Sequence, residues 1–299
     1  MTVGCHGGLD PPSTSRTHEV RANRARFLHG KATGAFAAGK QYPMPQARAA
    51  RRRLEQDDAQ RWTATSPLLD LDDPKLRLRA QSIVQLCKTE REQVLALYAC
   101  VKRMPFAMSF KMRLHTAREV LQQGRGDSFD KATLLVALLR LAGFPARLRF
   151  LTLDGAVIRG LLGAAPRPVR PVLEVFRDSR WIATDTYIFD GPYAAAARRR
   201  LRDSGWTHGW GMCVHGAALW DGQTDAFLNG DEPHEDGLVL HDHGVFCDPL
   251  EFVSSPSYRE IHGRLARAVQ WNVLASGLER GIRELRQHLP DTAACGTPA

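Results

Sequence analysis

Gly124-Arg125-Gly126-Asp127-Ser128-Phe129-Asp130-Lys131-Ala132-Thr133-Leu134-Leu135-Val136-Ala137-Leu138-Leu139-Arg140-Leu141-Ala142-Gly143-Phe144-Pro145-Ala146-Arg147 is the stretch whose reading decides the fold. Two closely spaced glycines form a turn that delivers a hydroxyl, Ser128, to the start of an apolar helix. Leu134, Leu135, Leu138 and Leu139 make that helix apolar enough to be central. Gly143 suits a left-handed C-terminal cap, and Phe144-Pro145 cannot continue the helix. Asp127 and Asp130 flank Ser128 and read first as carboxylates favoured by the positive end of the helix dipole.

Working outward, the residues before this turn are helical. A first helix starts at Asp73, with Leu76, Ile83, Val84 and Leu86 on one face. Thr89 with Glu92, and Thr116 with Glu119, have capping-box spacing, in which hydroxyl and carboxylate satisfy two free amide donors reciprocally. Strand patterns follow Pro145: Ala146–Leu151, then Val172–Phe176 and Trp181–Thr186, joined by a short turn over Arg177–Arg180. Helices followed by an antiparallel sheet define an α+β fold. An Ala/Arg-rich helix runs from Asp190 to about Asp203. The Gly-, Trp- and His-rich tract up to Asp248 has no clear periodicity, and an amphipathic helix is expected from about Ser257 to His288.

The turn, the helix and the Arg140-Leu141-Ala142-Gly143-Phe144-Pro145-Ala146-Arg147 exit resemble the nucleophile segment of the transglutaminase-like superfamily, a papain-like fold. Its pattern there is G-x-G-x-C, a helix, then R-x-x-G-x-P-A-R. A second motif of that family, H-x-W-x-E-V, a turn, then W-x-x-x-D, is matched by Glu174, Val175, Trp181 and Asp185. Ser128 stands at the position of the nucleophilic cysteine, Arg170 at that of the histidine, and Val172 at that of the motif's tryptophan. The resemblance implies a triad position made of Ser128, Arg170 and Asp185, with Gly126, Asp127 and Trp181 as substrate-contacting positions, and helices packed on an antiparallel sheet.

The two exchanges change the chemistry. A serine hydroxyl is far less acidic than a thiol and needs a general base, while arginine is permanently charged and has no acceptor nitrogen. Arg170 is instead suited to a charge-assisted pair with Asp185. The expectation is therefore a non-canonical or catalytically silent member that keeps a groove for a peptide, a protein segment or an acyl-bearing small molecule. The alternative is an active acyl transferase or amidase in which a base from elsewhere serves Ser128; His115, His208, His215, His234, His241 and His243 are the candidates. A set of arginines (Arg125, Arg140, Arg147, Arg149 and Arg170) raises the question of a basic groove for an acidic substrate.

Composition narrows the rest. The chain has 299 residues, 43% hydrophobic content and a formal net charge of +9. Much of the excess charge sits between Arg16 and Arg61, and residues 1–62 read as a basic, disordered tail, with a core over 63–190, a helical extension packed on it over 191–290, and a tail over 291–299. Binding of nucleic acid or a scaffold through that tail is the remaining alternative, although stacked aromatics and a nucleic-acid fold are missing, so no nucleic-acid partner is expected. Six scattered cysteines lack C-x-x-C spacing and read as free thiols. His241-Asp242-His243, with His234 and Asp236, is weak evidence for metal, and no metal or cofactor is expected. No apolar run approaches the roughly 18 residues needed to span a bilayer, and no secretory signal is evident, so a soluble, cytoplasmic protein without a membrane partner is expected.

Overall fold

The computed structural model describes residues 58–162, 167–230, 238–262 and 272–287. Four helices come first: α1 (Pro74–Val84), α2 (Glu90–Lys102), α3 (Ala117–Gln123) and α4 (Ser128–Leu141). Asp73 caps α1 by accepting from the Lys75 and Leu76 amides. Both capping boxes read from the sequence form, Thr89 with Glu92 on α2 and Thr116 with Glu119 on α3. Leu86 does not join the buried face of α1; it lies past the helix end and is 86% exposed.

Helix α4 is the centre of the molecule, with every side chain from Asp130 to Arg140 buried. It ends as the glycine demanded. Gly143 has φ +87°, its amide donates to Arg140 O, and the Phe144 amide donates to Leu139 O. This is the paired reverse bonding that closes a helix at a left-handed glycine.

The exit leads into an antiparallel sheet of four strands in the order β3-β2-β1-β6. Strands β1 (Ala146–Leu153), β2 (Val169–Arg177) and β3 (Arg180–Thr184) follow the sequence expectation with small changes of boundary. The β2–β3 turn places Asp178 and Ser179 at φ 51° and 62°, the left-handed pair that matches the twist of a tight hairpin. Ala146, Leu148, Leu173, Val175 and Ile182 belong to the main core with α4. The opposite face carries Arg147, Arg149, Arg170, Val172 and Glu174, as the two-residue period of strands requires.

Helix α5 (Gly191–Asp203) follows, then a two-stranded ribbon of β4 (His208–Gly209) and β5 (Met212–Cys213). The fourth sheet strand, β6 (Val239–Phe246), pairs with β1 and includes His241-Asp242-His243, from the tract that lacks clear periodicity. Its register slips opposite Arg149 and Leu151, where Gly244 adopts φ +81°. The bulge breaks the alternation that would have marked a strand. The expected closing helix is divided: α6 (Pro249–Ser254) and α7 (Pro256–His262) precede a turn at Leu274 and α8 (Ala275–Gln287).

The described residues begin at Asp58. Trp62, placed in the tail by the sequence reading, is 5% exposed and lies beneath the guanidinium groups of Arg61 and Arg147. Most of that tail, residues 1–57, and the tail over 291–299 lie outside the described residues. Cys87, Cys100, Cys213 and Cys247 are free thiols. No helix among the described residues is long and apolar enough to cross a membrane.

Two buried lysines tie the helices to the loop after β3. Lys102 Nζ donates to Thr186 O at 2.6 Å, and Lys131 Nζ donates to Met104 O and Ile188 O at 2.9 and 2.8 Å. Burial lowers both; Lys102 falls from 10.5 to about 8, and Lys131 falls well below its ordinary value. Between pH about 8 and 10.5 the unfolded chain therefore binds more protons at Lys102 than the folded one, so this group makes stability rise with pH in that window. Urea unfolding of Lys102→Met should show a shallower rise over the same range than the parent protein. Leu138→Ala, in the middle of fully buried α4, should lower unfolding stability by about 2–5 kcal/mol in the same assay.

Candidate functional site

The loop-to-helix turn is held by hydrogen bonds that leave little freedom. The Gly126 amide donates to Pro105 O at 3.2 Å and Gly126 O accepts from the Ala107 amide at 3.1 Å. A Cβ at Gly126 would fall 2.5 Å from Asp130 Cβ, so only glycine lets the turn sit this close to the helix. Asp127 is the N-cap of α4 and forms a third capping box with Asp130, which the sequence reading had not identified as one.

Beneath the turn lies a buried charge cluster. Lys111 Nζ donates to Asp127 Oδ2 and Asp130 Oδ1, both at 2.6 Å, and His115 Nδ1 lies 3.2 Å from Asp130 Oδ1. Burial raises the Asp130 carboxyl, but the His115 hydrogen bond and the Lys111 charge outweigh it and hold it below its usual range. Asp127 goes the other way, pushed up by burial and by the neighbouring Asp130 charge despite Lys111. Two carboxylates share one ammonium here, and one of them takes the larger part. Lys111 was missed from the sequence; its only mark there is isolation among apolar neighbours in Met108-Ser109-Phe110-Lys111-Met112.

Ser128 opens onto a cavity of about 340 Å³. Asp127 and Arg170 also line it, so the turn and the start of β2 meet at one place. Ser128 Oγ has no hydrogen-bond partner among the described residues. The next two amides of the helix are occupied: Phe129 N and Asp130 N donate to Asp127 Oδ1 at 3.0 and 3.1 Å. They are therefore taken up by the cap and do not stand open to a developing oxyanion.

Arg170 is 7% exposed and Asp185 2%. Arg170 Nη1 donates to Asp185 Oδ2 at 3.0 Å and Nη2 donates to Gly211 O at 2.5 Å. Asp185 Oδ1 accepts from the Leu228 amide at 2.7 Å. Burial pushes the Asp185 carboxyl up, against the pull of Arg170 and of that amide. Asp185 stands behind Arg170 and does not line the cavity.

The other expected positions are placed elsewhere. Gly126 shapes the turn from behind without lining the cavity. Trp181 also lies away from it, packed against Phe176 with the Arg147 guanidinium 3.9 Å from its ring centroid. The arginines do not form a shared basic groove. Arg147 and Arg149 both pair with buried Glu174, at 2.6 and 2.7 Å, and Arg140 is buried and donates to Ala146 O and Cys247 O. Adjacent strand register explains the pairing, because Arg147 faces Glu174 directly and Arg149 sits two residues on.

No histidine lines the cavity among the described residues. His115 is turned to Asp130, and His243 bridges Thr152 Oγ1 at 2.8 Å and Ser257 Oγ at 2.6 Å. No group of three or more metal-ligating side chains occurs among the described residues; His234 and Asp236 lie outside them.

The walls of the cavity come from distant parts of the chain. Leu274 and Leu278, before and within α8, form one side. Helix α8 is fixed there by Arg286, which pairs with Asp190 at 2.5 Å, and by Glu279, which accepts from the Met108 amide at 2.9 Å. Asn272 completes the attachment by accepting from Lys111 N and donating to Lys111 O.

Residues 77–186 match the sequence model of the Transglutaminase-like superfamily. The match runs from α1 through Asp185 and takes in the turn, α4 and strands β1 to β3, so this part of the chain is a transglutaminase-like domain. A crystal structure described as that of a candidate cysteine protease from Cytophaga hutchinsonii is similar at a TM-score of 0.41 and 16% identity, over 65% of this chain and 48% of that one. The chain thus spans about half the length of that protein. No curated protein matches the chain significantly.

Arg170→Met should leave the Asp185 carboxylate buried with the Leu228 amide as its remaining partner, lowering stability by about 3–5 kcal/mol in urea unfolding. Loss of the counter-ion raises the Asp185 carboxyl further, and a raised carboxyl contributes stability in acid that is lost as pH rises through it. The deficit should therefore be smaller in mild acid than at neutral pH, and Arg170→Met with Asp185→Leu should recover most of it.

Proposed function

We propose that this protein is a catalytically silent transglutaminase-like protein that binds a ligand in the cavity beside Ser128. The observation that carries the reading is the state of Arg170. A group that must accept a proton from the nucleophile is replaced by a guanidinium, which has no acceptor nitrogen and is held between Asp185 and Gly211 O. The old base–acid contact persists as an ion pair that shapes the wall of the cavity.

Two further features support it. A serine hydroxyl at a helix start is not ionised by the dipole alone, since its acidity is far below that of a thiol. The two helix amides that follow it are bonded to Asp127 Oδ1, which removes them as donors to an oxyanion. What remains is a chamber of fixed shape, suited to an acyl group or an apolar side chain of a peptide.

Incubation with an activated ester or thioester, followed by intact-mass measurement, should give no acyl adduct on Ser128, and Ser128→Ala should turn over the ester at the same background rate as the parent protein. The Ser128→Cys, Arg170→His double variant should acquire an adduct on residue 128. An adduct on the parent Ser128 that disappears in Ser128→Ala would end the silent reading and establish an acyl transferase or hydrolase.

A further inference from the structure

The cavity is more specific than a remnant groove. Its floor and sides are apolar, supplied by Phe106, Phe129, Ile188, Phe189, Leu274 and Leu278. An engineered cavity of roughly 150 Å³ holds one benzene, so about 340 Å³ is room for a small organic molecule.

An extended polypeptide is disfavoured by the wall itself. Strand-like peptide binding needs free backbone donors and acceptors along an edge. Along residues 106–111 several of these are occupied: Phe106 N by Asp190, Ala107 N by Gly126 O, Met108 N by Glu279, and both Lys111 backbone groups by Asn272.

The polar groups that remain available point to an acceptor-bearing, anionic end. Ser109 lines the cavity, and its buried Oγ has no hydrogen-bond partner. A buried hydroxyl left unsatisfied is costly, and an acceptor on a bound molecule would satisfy it. Ser128 Oγ is unpartnered in the same chamber. A guanidinium has five N–H donors; Arg170 uses one on Asp185 and one on Gly211 O, leaving three. Of the charged residues lining the cavity, Lys111, Arg167 and Arg170 are cations and Asp127 is the one anion, while Asp130 and Asp185 stand behind.

We propose that the cavity is a binding site for a small monocarboxylate with an apolar body of about the size of a medium-length acyl chain, the carboxylate meeting Arg170, Ser109 and Ser128. This deepens the proposed function, since it assigns the ligand class of the same site. The exchange of a base for an arginine then has a positive role: a proton acceptor has become a carboxylate receptor, the geometry at which arginine is strongest.

The test is isothermal titration of the full chain with octanoate, octanol and acetate. Octanoate should bind, and both octanol, which lacks the charge, and acetate, which lacks the body, should bind at least about tenfold more weakly. Ser109→Ala should weaken octanoate roughly three- to tenfold, and Leu278→Trp, which fills the chamber, should abolish binding. Unfolding midpoints of both variants, measured alongside, exclude misfolding as the cause. Equal binding of octanol and octanoate, persistence of binding in Leu278→Trp, or no binding of octanoate would each overturn the inference. Acylation of Ser128 would instead end the silent reading and leave a positive binding result standing, so the two failures are separable.

Discussion

Burial of helix α4 from Asp130 to Arg140 constrains everything around it. A helix closed off from water must find partners for its end groups and its polar side chains inside the protein. At the N-terminus Asp127 meets that need, accepting from two amides, while Lys111 neutralises it. Along the body Lys131 reaches two carbonyls and Arg140 reaches those of Ala146 and Cys247. The C-terminus is closed by the left-handed turn at Gly143. Each of these bonds fixes a different loop, so the helix organises the site as well as the core.

The same constraint bears on chemistry. A helix N-terminus can favour an anionic nucleophile or an oxyanion only while its amides are open. Here the N-cap carboxylate occupies two of them, and its charge opposes the dipole that would assist Ser128. On the facing strand the permanent charge of Arg170 is matched by Asp185, with the Leu228 amide as second partner. Both sides of the cavity are thus arranged for electrostatic balance, and no histidine among the described residues lines it. On the proposed reading, that arrangement serves recognition of a charged group.

Much of the fold was legible because its signals are local. Capping boxes at Thr89 and Thr116, the glycine stop at Gly143 and the strand runs of β1 to β3 each depend on a few neighbouring residues, and all are present. The signals that failed are those that long-range pairing overrides. Strand β6 is concealed by its bulge at Gly244 and identified only by its ladder with β1. Leu86 has the right spacing for a core position, but the helix ends before it.

For the site, the sequence by itself determined which side chains stand at the turn and on the strand: Ser128 and Arg170 are there to be read, and the acidity of a hydroxyl and the charge of a guanidinium do not depend on the fold. Their partners depended on tertiary structure. Only the folded chain assigns Arg147 and Arg149 to Glu174, turns His115 toward Asp130, brings Lys111 under the turn and sets Leu274 and Leu278 against the cavity. These residues are separated from the turn by tens of positions, and no local periodicity encodes which of many surface-type side chains will be buried together. The composition of the chamber, and hence what it can hold, was decided by packing.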